Sequence, residues 1–265
     1  MPLLSSEINI LEKVCSKASK VIIRDFGEIE KLQVSKKGPS DFVTKTDQKV
    51  EEIIIEELHR SRPGFNIIAE ESGIADMTKS EFTWIIDPID GTSNFMHGIP
   101  HFAISIGLEK NGEIICGMIF DPIKNEMFYA EKGRGAYLNN SRIRVSSRND
   151  LLESIALTGC PILEDSAFDN FIKEHTAMLK KFHKVRNLGS AALDLAYIAA
   201  GRAEVFWHKK LNYWDIAAGI IIVKEAGGTI TDFKGKTFDL KNKEILATNS
   251  RLDSETVKIL SSVKW

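Results

Sequence analysis

The chain has 265 residues, 43% of them hydrophobic and 27% charged, enough apolar material for a sizeable core without a disulfide or a structural metal. Its 35 basic and 37 acidic residues leave a net charge of -2, which excludes the basic excess of a nucleic-acid binder. The short basic clusters at Lys36-Lys37 and His208-Lys209-Lys210 read as solvated surface.

Glu7, Glu12 and Lys13 interrupt the first twenty residues, so these make a poor signal peptide. No stretch elsewhere approaches the ~20 apolar residues that span a bilayer. Cys15, Cys116 and Cys160 form no CxxC pair and no zinc-type spacing with the histidines. With the first two inside apolar runs, this pattern fits a reducing cytoplasm.

Along the chain, Ile8, Leu11, Cys15, Ala18 and Ile22 recur at helical spacing, with Ser5 or Ser6 as cap and Gly27 as stop. The polar stretch Ser35 to Asp41, with Gly38 and Pro39, is expected to be a loop. A second helix should begin near Thr46 or Asp47, bury Val50, Ile53, Ile54 and Leu58, and end at Arg62-Pro63-Gly64. Phe82–Ile86, Ala103–Leu108, Glu113–Phe120 and Met127–Ala130 read as strands of an antiparallel sheet, with Asn111-Gly112 as a hairpin turn. From about residue 150 the pattern alternates. Strands are expected at Ser154–Thr158, Ala203–Trp207, Thr229–Thr231 and Ile245–Thr248, and helices at Phe168–Lys181, Ser190 to about Ala200, and from Asp215 to Gly227-Gly228. The chain is thus expected to form a single domain over 1–265, an α+β half to about 150 joined tightly to an α/β half.

The chemistry concentrates in Trp84-Ile85-Ile86-Asp87-Pro88-Ile89-Asp90-Gly91-Thr92-Ser93-Asn94-Phe95. An apolar strand delivers Asp87 to its end, Pro88 interrupts pairing, and Asp90 follows three residues on. Carboxylates held this close repel one another unless a hard divalent cation sits between them. A bare Asp-x-x-Asp is also a common capped turn. Glu70-Glu71-Ser72-Gly73 is a second strand end bearing carboxylates. Asp47 and Asp215 stand at expected helix starts, where a plain helix-terminal charge would also account for them. Gly91 and Thr92 could offer backbone amides to a phosphate. His97 and His101 read as loop or dimer-surface residues, and the other histidines as helix or loop residues without ligand spacing.

These motifs together, Asp41 to Asp47, Glu70-Glu71-Ser72, Asp87 to Phe95, and Trp214-Asp215 with Glu225-Ala226-Gly227-Gly228, resemble the inositol monophosphatase family across most of the chain. Gly189-Ser190-Ala191-Ala192 resembles a further segment beside the substrate. The resemblance implies a layered αβαβα sandwich, a homodimer, and lithium-sensitive hydrolysis of a small phosphate monoester with two or three Mg2+ ions. It implies one ion on Glu70, Asp87 and the carbonyl of Ile89, a second on Asp87, Asp90 and Asp215, and a third beside Glu70. Asp47 and Thr92 would orient water, with Glu70 in the catalytic set. Gly91, Thr92, Gly189, Ser190, Ala191, His208 and Asp215 would meet the substrate.

Inositol 1-phosphate is the default substrate. Histidinol phosphate, fructose 1,6-bisphosphate and phosphoadenosine phosphates are alternatives, as is a regulatory protein bound to the transcription machinery. His208 stands where inositol-selective members carry Glu, Asn212 where they often carry His, and Cys160 where a substrate-side Ser is found, so the leaving-group pocket departs from the family pattern.

Overall fold

A computed structural model of the chain describes residues 5–28, 34–38, 41–76, 79–160, 165–240 and 243–263. The first apolar stripe forms α1 (Ser6–Phe26). Ser5 caps it, accepting from the Ile8 amide at 3.3 Å, and Gly27 closes it. The segment expected as a loop is instead a hairpin, β1 (Val34–Gly38) pairing antiparallel with β2 (Asp41–Thr44). Pro39 lies outside the described residues. In α2 (Lys45–Ser61), Thr44 is the N-cap and Asp47 completes a capping box from the third helical position, so Asp47 lies inside the helix and not at its first residue.

Eight strands form one sheet: β3 (Asn66–Ala69), β4 (Gly73–Asp76), β5 (Phe82–Asp90), β6 (Ala103–Lys110), β7 (Glu113–Asp121), β8 (Glu126–Glu131), β9 (Gly135–Leu138) and β10 (Ser141–Ile143), in the order β10-β9-β8-β7-β6-β5-β3-β4. The sheet is not wholly antiparallel, because β3 and β5 run parallel with Ala69 beside Ile86. Their C-terminal ends therefore lie side by side. Nor does β5 stop at Asp87: pairing with β6 slips after Asp87 and resumes between Asp90 and Ala103, so Pro88 produces an irregularity rather than an end. The short helix α3 (Thr92–Met96) follows.

A second sheet contains β11 (Ile155–Thr158), β12 (Lys184–Arg186), β13 (Val205–Lys209), β14 (Thr229–Thr231) and β15 (Glu244–Thr248), ordered β12-β11-β13-β15-β14. His208 is thus a strand residue, not a helix or loop residue. The remaining helices are α4 (Asp165–Leu179), α5 (Ala191–Ala199), α6 (Tyr213–Glu225) and α7 (Asp253–Ser261). Asn212 caps α6, so Asp215 lies three positions beyond the cap rather than at the helix's first residue.

The period of two along each central strand builds the layers. On β5, Trp84 and Ile86 join the apolar cluster made with α1 and α2, while Ile85 faces the cluster that contains α5 and α6. On β13, Phe206 joins the α5–α6 cluster, whereas Val205 and Trp207 pack with Met178 of α4 and Leu260 of α7. The result is an αβαβα sandwich. Each large side chain so buried contributes roughly 1.5–3 kcal/mol. Gly117 on β7 lets α6 approach closely, since a Cβ there would lie 2.8 Å from the α-carbon of Ala218. No helix among the described residues is long and apolar enough to cross a membrane.

Candidate active site

The parallel pairing of β3 and β5 creates the site. With Ala69 beside Ile86, the next residues on the two strands are Glu70 and Asp87, and the Glu70 amide donates to the Ile86 carbonyl at 3.2 Å. Asp87 is 1% exposed, and its Oδ1 has no hydrogen-bond partner. Burial pushes its carboxyl well above the usual carboxylate range. The negative charges of Glu70, Asp90 and Asp215, and a hydrogen bond with Glu70, push it further the same way. Carboxyls from the end of β3, the end of β5 and the start of α6 therefore converge on Asp87. Among the described residues they do not form a finished three-ligand cluster.

Asp90 has a second task that local sequence signals did not reveal. Its Oδ2 accepts from the hydroxyl of Ser190 and, at 2.7 Å, from the amide of Ala192, at the N-terminus of α5. Burial raises the Asp90 carboxyl to about 6 against these hydrogen bonds. Ser190 also caps α5 through the Leu193 amide at 3.3 Å. Asp194, one turn into α5, is 1% exposed, has an unpartnered Oδ1, and is raised by burial and by Asp90. Asp215 accepts from the Asn212 amide at 2.7 Å.

The other wall is built on α2. Asp47 is fully buried, and its Oδ2 accepts from the amide of Thr44 at 2.9 Å and from the Thr44 hydroxyl. Its Oδ1 lies 3.1 Å from the Thr92 hydroxyl, which also lies 3.0 Å from the Ile89 carbonyl. Burial raises the Asp47 carboxyl, with the Thr44 and Thr92 hydrogen bonds opposing. Gly91, at φ 98°, occupies the left-handed region and turns the chain from β5 into α3. Glu51, one helical turn after Asp47, accepts from the amides of Glu71 and Ser72. Asn94 donates to the carbonyls of His101 and Leu188, both at 2.8 Å. Glu51 shares a face of α2 with Asp47, a spacing that would have marked it; Asn94 falls within the Asp87 to Phe95 motif, but its tie to Leu188 has no local signal.

Beside the acidic cluster opens a cavity of about 280 Å³, lined by Asp90, Asp215, Gly189, Ser190, Ala191, Gly159, Cys160 and His208 among others. The cavity thus brings Gly189, Ser190, Ala191, His208 and Asp215 together, and Gly91 adjoins it, since a Cβ there would lie 3.2 Å from the Gly189 carbonyl; Thr92 is bonded to Asp47 of α2. His208 Nδ1 lies 2.6 Å from the Lys209 carbonyl, so Nδ1 carries the proton and Nε2 is left as an acceptor. Burial pushes His208 down to about 4, with that backbone bond opposing, and keeps the ring neutral. His101 lies in the loop before β6, half-buried and edge-on to Tyr197 at 5.7 Å.

The profile of the inositol monophosphatase family matches residues 3–264. The chain is 43% identical to an inositol-1-monophosphatase of Mesorhizobium japonicum over 96% of each chain. It is 41% identical to the protein named Nus factor SuhB of Xylella fastidiosa, over 86% of this chain and 82% of that one. The crystal structure of the extragenic suppressor protein suhB of Bartonella henselae superposes with a TM-score of 0.94 at 42% identity, covering 97% of this chain and 99% of that one.

Proposed function

Since the chain belongs to the inositol monophosphatase family, we propose that it is a Mg2+-dependent phosphatase of small phosphate monoesters, with inositol 1-phosphate as its first substrate. The observation that carries this reading is Asp87: a buried carboxylate with an unpartnered oxygen, hemmed in by three further carboxyls. Such an acid cluster calls for a hard cation with oxygen ligands. The donor set fits Mg2+, held by Glu70, Asp87, the Ile89 carbonyl, Asp90 and Asp215. Bound there, Mg2+ would neutralise phosphate charge and make water more acidic.

The chain's own residues supply the rest. Thr44 fixes one oxygen of Asp47, leaving the other to the Thr92 hydroxyl. The Asp47–Thr92 pair orients the attacking water. Asp47, made more basic by burial, suits the proton-accepting role. Gly91 and Thr92 amides meet phosphate oxygens. The cavity walled by Gly189, Ser190, Ala191 and His208 receives the alcohol. His208 presents an acceptor to a hydroxyl where a carboxylate would present a charged one, so the pocket is more tolerant of other phosphates.

The test is phosphate release from inositol 1-phosphate, histidinol phosphate, fructose 1,6-bisphosphate and 3'-phosphoadenosine 5'-phosphate, with Mg2+ and with EDTA. Mg2+-dependent turnover of at least one supports the reading; none with any divalent metal overturns it. The free cysteines suit a reducing cytoplasm, and the family resemblance supports a single-domain protomer that pairs as a homodimer, which sedimentation would check. The relative named Nus factor SuhB favours a second reading, a contact with the transcription machinery that does not need catalysis. Binding to purified RNA polymerase that persists in Asp87→Asn would support it.

A further inference from the structure

We propose that Glu51 is a positioning residue for Glu70: it sets the affinity of the acidic cluster for a divalent cation without touching the ion. The inference rests on the metal reading above and concerns a residue that reading leaves out. Glu51 is 3% exposed and lies one helical turn beyond Asp47, on the same face of α2. Its Oε2 accepts from the amide of Glu71 at 2.8 Å and its Oε1 from the amide of Ser72 at 2.9 Å. Both carboxylate oxygens are therefore engaged by successive backbone N–H groups of the turn that leaves β3.

Glu70 stands immediately before that clamp, and its own amide is tied to the Ile86 carbonyl of β5 at 3.2 Å. The turn is pinned on the sheet side by β5 and on the helix side by Glu51. Removing Glu51 would take away the helix-side tie and leave the sheet-side one at residue 70. Placing a further carboxylate among buried acids adds repulsion. Its two amide bonds explain why this position needs a double acceptor. The same helix holds Thr92 through Asp47, so α2 gauges the distance between the turn after β3 and the end of β5. Groups that orient a ligand from outside the coordination sphere typically change metal affinity by about 10–100-fold when altered.

The variants Glu51→Gln and Glu51→Asp separate positioning from folding. Gln keeps size but turns an NH2 towards one of the two amides; Asp keeps the charge but falls a methylene short. Glu204→Gln is the control. Glu204 is 1% exposed, accepts from the Ile155 amide at 2.7 Å and from Arg148 at 2.9 Å, and directly precedes β13, so it is equally buried but lies beside the other sheet. MgCl2 is titrated calorimetrically into each metal-free full-length protein without substrate, and the melting temperature of each metal-free protein is recorded. Glu51→Gln should bind Mg2+ about tenfold or more weakly, and Glu51→Asp should fall between it and wild type. Glu204→Gln should lose stability but keep wild-type affinity.

Wild-type affinity in Glu51→Gln, whatever its melting temperature, overturns the proposal. So does an equal loss of affinity in Glu204→Gln. Should Glu51→Gln not fold, unchanged affinity in Glu51→Asp overturns it alone. A wild-type protein that binds no Mg2+ overturns the metal reading and this inference with it, whereas a binding wild type with an unaffected Glu51→Gln overturns only the inference.

Discussion

The Nε2 atom of His208 rests against the α-carbon of Gly159, so close that a Cβ on residue 159 would lie 2.6 Å from it. The contact follows from strand register: β11 and β13 run parallel with Thr158 beside Trp207, which sets Gly159 alongside His208. Gly159→Ala should therefore turn the imidazole away from its place. KM for a polyol phosphate is expected to rise several-fold while kcat changes less, because the acidic cluster is untouched. Equal kcat and KM values in the two proteins would contradict the placement of His208 in the pocket.

His208→Glu replaces a neutral acceptor with an ionised one. The preference for inositol 1-phosphate over competing substrates should rise roughly tenfold, equivalent to about 1.4 kcal/mol. Ratios of kcat/KM across the substrate panel check this, and an unchanged ratio eliminates the contact.

Asp87→Asn should abolish or severely weaken Mg2+ binding and cost on the order of a thousandfold in rate. The metal-free variant should be at least as stable as wild type at pH 8, because a buried acid surrounded by other acids is no longer asked to ionise. Wild-type turnover would refute the role of Asp87.

Lithium should inhibit at the proposed Mg2+ site of Asp87, Asp90 and Asp215, where a small monovalent cation would replace Mg2+ without supplying its charge. Inhibition is expected to be uncompetitive or noncompetitive towards substrate. Strong Mg2+ activation with complete indifference to lithium would speak against this ligand arrangement.

His101 provides a pH test away from the acidic cluster. Burial, then Lys124, pushes it down to about 4, with Asp121 opposing. A base whose folded value is depressed gives stability that is complete above its unfolded value near 6.5 and is lost as pH falls towards 4. His101→Phe should thus gain on wild type by roughly 1–2 kcal/mol between pH 7 and pH 4.5, after discounting for partial exposure. Urea denaturation of both proteins at the two pH values measures this difference, in which the carboxylates cancel. A pH-independent difference would show that His101 titrates normally.

Much of the fold was legible because its signals are local. The stripe from Ile8 to Ile22 and the pair Asn111-Gly112, both at positive φ in the β6–β7 turn, each act within a few residues. The acidic motifs were legible for the same reason. Local pattern did not carry the parallel pairing of β3 with β5, since β4 intervenes in sequence and register between separated strands has no local mark. The hairpin at 34–44 was missed because its Gly-Pro signal fits a loop equally well. The link from Asp90 to α5 was hidden because Ser190 alone already satisfies the pattern of a capped helix.

At Gly117 no side chain separates β7 from the backbone of α6, which carries Asp215 in its first turn. Strand and helix meet like two machined faces without a gasket, so anything inserted between them tilts the whole element. A methyl group at residue 117 would reach the acidic cluster as a change in the separation of Asp215 from Asp87, although it touches neither. Gly107 on β6 meets the same helix as closely, a Cβ there lying 3.0 Å from that of Ala217, so two hydrogen atoms on adjacent strands seat the element that carries Asp215.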